Sequence, residues 1–145
     1  MKNINFNKVF YGFSLFAISF CFFIIGLITY WLIYPIKVLE FGPENGIIIT
    51  KEVKSGEYVE MKQDFCKYVD VISQVDRQFI DSIVYQVPIS YNNRPLGCHK
   101  KIEYIYIPKA LPPGEYHIST TIRIALNPLR TVIRNVQTNK FIIIE

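Results

Sequence analysis

The 145-residue chain carries 16 basic and 12 acidic residues, a formal charge of +4, and half of its residues are hydrophobic. One long apolar run near the N-terminus accounts for the excess and leaves about 110 residues, enough for one small domain. With Lys2 and Lys8 ahead of that run set aside, 14 basic residues stand against 12 acidic ones. This balance lacks the basic stripe that nucleic-acid binding needs, so no nucleic-acid partner is expected.

The apolar run, "VFYGFSLFAISFCFFIIGLITYWLI" from Val9 to Ile33, holds no charge. At 1.5 Å per residue it exceeds the roughly 30 Å of a bilayer's hydrocarbon. A cleaved signal peptide would have a shorter apolar core ending at a small-residue site. Here the run ends in Tyr30, Trp31 and Tyr34, amphipathic rings suited to the membrane interface. The expectation is an uncleaved transmembrane helix over 9–34. A lipidated Cys21 is rejected because bulky Phe20 precedes it and further apolar residues follow. Lys2 and Lys8 lie in a segment without acidic residues, so residues 1–8 are expected in the cytoplasm by the positive-inside rule, with the rest exported. Lys37 on the far side weakens that contrast without reversing it. Gly12, Ser19 and Gly26 recur every seven residues and would let another helix approach closely; small residues scattered by chance are the alternative.

Beyond Pro35 the pattern turns to short β-rich runs between turn residues. Strands are expected near 36–41, 46–52, 57–66, 68–76, 82–87, 101–107, 115–126 and 129–144, the last interrupted near Thr138 and Asn139. "KSGEY" at 54–58 reads as a tight turn, "YNNRPLG" at 91–97 as a longer loop, and "NP" at 127–128 as a turn. In "EYHISTTIRIAL" the alternation sends Tyr116, Ile118, Thr120, Ile122, Ile124 and Leu126 to one face. One dry and one wet face mark an antiparallel sheet. Seven or eight antiparallel strands over 36–145, without an amphipathic helix, point to a β-sandwich.

"LPPGEY" at 111–116 is a corner before the longest strand. Pro112 and Pro113 fix φ and remove hydrogen-bond donors; Gly114 is expected to take a conformation other residues resist. Tyr116 can bury its ring and return its hydroxyl to the corner backbone. Here the sequence resembles bacterial and phage Ig-like modules with an L-x-P-G-x-Y corner. That resemblance implies an Ig-like sandwich and, for many such modules, a binding or spacer role; it carries no active site. The antibody-type core tryptophan is missing, since Trp31 lies in the apolar run.

Two of the three cysteines, Cys66 and Cys98, lie beyond the span. In an oxidising compartment such a pair forms a disulfide, the alternative being buried reduced thiols. A zinc site would need four ligands, and Cys66, Cys98 and His99 supply three without C-x-x-C spacing. His117 falls on the wetted face of its strand, and Cys98 and His99, as strand neighbours, point to opposite faces. Asp70 and Asp76 lack the glycine and the extra oxygen ligands of a calcium loop. No phosphate-binding glycine loop occurs. No catalytic residue, metal or cofactor is therefore expected.

In an Ig-like order the first strand starts at the same end as the loops around 91–101 and 127–130. The anchor would place that end beside the bilayer, with Arg94, Lys100, Lys101 and Arg130 at headgroup or partner depth and the corner pointing away. Solubility charges are the alternative. The final strand, "KFIIIE", leaves no second domain expected after it. Consecutive isoleucines at 47–49 and 142–144 suggest strands covered on both faces, or an apolar edge covered by a partner.

The functional expectation is a membrane-anchored, non-enzymatic interaction module on the periplasmic or extracellular side, an accessory subunit of an envelope or virion membrane assembly. One alternative is phage-encoded interference such as superinfection exclusion, suggested by the Ile-, Lys-, Asn- and Tyr-rich bias of an AT-rich genome. Another is a small thiol-redox protein using Cys66 and Cys98.

Overall fold

The computed structural model describes residues 6–145. They divide into one unit ending at Ile36 and a second spanning Lys37–Glu145. Lys2, on which the orientation partly rests, lies outside the described residues.

Helix α1 runs from Phe6 to Ile33. It begins three residues before the expected span and stops ahead of Pro35, whose ring disfavours helix in the residue before it. Tyr34 still donates its N–H to Tyr30 O at 2.8 Å. The stretch Phe10–Ile33 is long and apolar enough to cross a membrane.

The second unit is built of strands: β1 (Leu39–Phe41), β2 (Ile47–Ile48), β3 (Glu52–Lys54), β4 (Tyr58–Lys67), β5 (Ser73–Ile80), β6 (Val84–Gln86), β7 (Ser90–Asn92), β8 (Gly97–Tyr106), β9 (Gly114–Asn127), β10 (Arg130–Gln137) and β11 (Phe141–Ile144). They form two sheets. In the first, β4 has β8 on one side and β1 and β2 on the other. In the second the order is β3-β11-β9-β5-β6, with β10 also on β9 and β7 also on β5. All pairings are antiparallel except β3 with β11, which is parallel.

Eleven strands replace the expected seven or eight, and one pairing departs from the all-antiparallel expectation. The physical reason is local. The expected 46–52 run breaks at Thr50–Lys51, so β2 joins the first sheet and β3 the second. The 68–76 run yields a strand only from Ser73, because Tyr68–Ile72 carry the chain between sheets. β8 starts at Gly97, four residues earlier than expected, where φ of 118° lets the loop enter the strand. Gly56, at φ 90°, forms the expected turn in "KSGEY".

Side chains of both sheets meet in one core that includes Val59, Phe79, Ile107, Tyr116, Ile118, Phe141 and Ile143. A second cluster joins Val38, Leu39, Phe65 and Ile124. Ile48 and Ile143 are buried, but Ile47, Ile49, Ile142 and Ile144 are exposed. The expectation of isoleucine strands covered on both faces is thus corrected: successive side chains alternate across a strand, and each sheet has one inner face.

Candidate functional site

The domain has two unlike ends. The far end holds the proline corner. Leu111 is buried and its carbonyl accepts from Ser55 Oγ at 2.7 Å. Pro112 and Pro113 are exposed. The Tyr116 ring is 1 % exposed, and its hydroxyl donates to Pro112 O at 3.1 Å. Burial, then Tyr85 and Asp81, raises the Tyr116 pKa above its ordinary value. Gly114 does not take a positive φ, so the expected reason for that glycine is corrected. A Cβ there would lie 3.2 Å from Tyr116 Cε2; the glycine lets the ring close under the corner.

The other end is where the chain enters the domain. Leu39 pairs with Lys67, and Lys67 with Gly97. Ser73 pairs with Asn92 and with Ile124. The connections β4–β5, β7–β8 and β9–β10 therefore gather beside Lys37. They present Tyr68, Ile72, Leu96 and Leu129 as exposed apolar side chains. Lys37 pairs with Glu40 at 2.8 Å, and Tyr68 donates to Glu40 at 2.7 Å.

The charged residues singled out from sequence are not one group. Arg94, in the β7–β8 connection, turns inward; its side chain is 17 % exposed. Burial pushes its pKa down, with Glu103 opposing and Arg77 adding to the effect. Lys100 is exposed and pairs with Glu44 at 3.0 Å on the outer face of the first sheet. Glu44 and its hydrogen bond raise the Lys100 pKa. Lys101 is exposed beside it in β8. Arg130 is half-buried at the start of β10.

Cys66 and Cys98 are directly opposite in the β4–β8 ladder and joined by a disulfide. They face outward, on the parity opposite to buried Phe65 and Lys67. His99 faces the other way, as strand parity requires, and its Nε2 lies 2.9 Å from Pro95 O. His117 is half-buried in β9. Gly12, Ser19 and Gly26 are exposed on α1, as are Tyr30, Trp31 and Tyr34 around its end.

Sequence reasoning missed a polar cluster between the sheets. Arg77 of β5 donates to Glu103 of β8 at 2.6 Å, and Arg94 lies 3.6 Å from the same carboxylate. Gln63 of β4 donates to Glu103 and accepts from Arg94. Lys67, only 3 % exposed, donates to Arg94 O at 2.7 Å. The signal was present in parity: Gln63 and Lys67 alternate with Cys66 and Asp64 on the face of Val59, Met61 and Phe65, and Arg77 sits between Val75 and Phe79. An outer surface also escaped notice. Exposed Tyr58, Ile102, Tyr104 and Tyr106 share the outward face of β4 and β8.

Comparison with known protein families finds no family model that matches this chain, and comparison with curated proteins finds no significant match.

Proposed function

We infer that the chain is a single-span membrane protein displaying an Ig-like domain that docks, without catalysis, on another membrane or envelope protein. In this reading residues 1–8 stay in the cytoplasm and the domain is exported to the periplasmic or extracellular side. Several observations support it. An uncharged helix of membrane length precedes the domain. The Cys66–Cys98 disulfide suits an oxidising compartment. The strand order also favours an Ig-like assignment: a first strand divided between the sheets, its later part parallel to the last strand, and a proline corner bonded by Tyr116 at the start of β9.

The observation that carries the docking role is the cluster of exposed Tyr68, Ile72, Leu96 and Leu129 at the end where the chain enters. Loop tips are ordinarily polar, because water covers them more cheaply than it covers large apolar side chains. Four such side chains from three connections form a surface suited to an apolar partner, with Lys37 and Arg130 at its rim. An accessory subunit of an envelope or virion membrane assembly is the role this surface fits.

The test is photo-crosslinking in native membranes of the full chain. A photoreactive amino acid replaces Leu96 or Leu129 in one set, Pro113 or Tyr104 in another. Discrete protein adducts from Leu96 and Leu129, and none from Pro113, are expected. Adducts from Tyr104 alone would move the interface to the outer sheet face and overturn the reading. So would the absence of any protein adduct from all four positions.

A further inference from the structure

A cavity of about 50 Å³ lies between the two sheets. Its lining includes three cationic side chains, Lys67, Arg77 and Arg94, and no carboxylate. Glu103, the one acidic partner of the cluster, is not part of the lining and is already engaged by Arg77, Arg94 and Gln63.

Lys67 carries the argument. Its residue is 3 % exposed, so the ammonium has left water almost completely. Among the described residues its Nζ has one hydrogen-bond partner, the carbonyl of Arg94, and no carboxylate within ion-pair distance. An ammonium has three donors, and buried charges are ordinarily paired. Arg77 adds a second orphan: its Nε is buried without a hydrogen-bond partner. An ammonium without a carboxylate and a guanidinium N–H without an acceptor thus line the same cavity, and a carboxylate would satisfy both.

The rest of the lining narrows the ligand. Ser73, Asn92 and Thr120 supply neutral hydrogen-bonding groups, whereas Leu39, Phe65 and Ile122 form an apolar wall. A water molecule needs about 10–15 Å³ on this scale, so the space holds a few non-hydrogen atoms. We propose that this cavity binds a small carboxylate anion, its oxygens on Lys67 and Arg77 and its short hydrocarbon tail against the apolar wall. The cavity lies between the sheets beneath the exposed loop surface, and neither reading depends on the other.

Thermal unfolding of the full-length protein in detergent tests this, with sodium acetate, butyrate, phosphate or chloride at matched ionic strength. Butyrate and acetate should raise Tm progressively, as the logarithm of concentration once above Kd, by roughly 6 °C at ten times Kd, with butyrate effective at the lower concentration. Lys67→Met should unfold at a higher Tm than wild type in chloride alone, having lost the unpaired charge, and should no longer respond to carboxylates. A wild-type Tm indifferent to all four salts overturns the proposal. An equal rise with chloride, or a rise with phosphate alone, overturns the carboxylate assignment. The wild-type titration decides the matter even where the variant fails to fold.

Discussion

Breaking the Cys66–Cys98 bond isolates one term of the domain's stability. The two cysteines are 32 residues apart in sequence. Closing a loop of that length in the unfolded chain removes about 12 cal/mol/K of entropy, or about 3.7 kcal/mol at 25 °C. Both sulfurs face outward, Cys98 being exposed and Cys66 half-buried. Replacing them leaves no cavity in the core, and the strands remain held by the β4–β8 ladder from Tyr58↔Tyr106 to Lys67↔Gly97. The loss should therefore approach the loop-closure value. For a domain of about 110 residues the unfolding entropy is about 230 cal/mol/K, so Tm should fall by about 16 °C. The assay is thermal unfolding of the full-length protein in detergent, followed by near-UV tyrosine dichroism, for the oxidised form, the reduced form and Cys98→Ser. The last two should coincide. A fall of less than about 5 °C in both would refute the reasoning, because the unfolded chain would then gain little freedom. An unchanged Tm together with loss of a thiol-exchange activity in Cys98→Ser would instead restore the redox alternative.

Three further outcomes follow from individual contacts. Tyr116→Phe removes the part-buried hydrogen bond to the Pro112 carbonyl and should cost about 1 kcal/mol by urea denaturation; Tyr116→Ala empties a fully buried position and should cost about 3–5 kcal/mol. Equal costs for the two would show that the ring does not anchor the corner. Glu103→Gln leaves Arg77 and Arg94 without their carboxylate; with the Arg77 and Glu103 side chains 19 % and 20 % exposed, the loss should sit at about 3 kcal/mol, the low end for a buried pair. Adding Arg77→Met should recover part of that loss, and a fully additive double variant would exclude the coupling. The hydrogen bonds from Lys37 and then Tyr68 hold the exposed Glu40 carboxyl below its ordinary pKa. A depressed carboxylate contributes stability above its unfolded pKa, near 4.3, and loses it as pH falls through the folded value. The Tm difference between wild type and Glu40→Gln should be constant at neutral pH and close in acid; a gap that persists at pH 2 would contradict the assignment.

How much of the domain was legible depends on the range of the physics. The apolar run, the turn at Gly56, the break near Thr138–Asn139 and the two faces of β9 are properties of neighbouring residues, and each is evident in the string. Tyr116 and its corner were legible for the same reason: a hydroxyl four residues from its acceptor is a local contact. The interior cluster was not sought because it joins β4, β5, β8 and the β7–β8 connection. Gln63, Arg77 and Glu103 meet only once the sheets stack.

From its sequence alone, then, the chain determines a membrane-length helix, a β-rich remainder, the two faces of β9 and the candidate cysteine pair. Alternation and turn chemistry operate over a few residues, and nothing distant can change them. Which strands pair, that β3 runs parallel to β11, that Arg94 turns inward while Lys100 stays out, and that Lys67 lies beside a cavity without a carboxylate were decided by tertiary structure. Those facts depend on which faces meet across the sheets. Strand pairing and sheet stacking are long-range choices, in which burial of the whole apolar surface outweighs what any single residue would prefer in water.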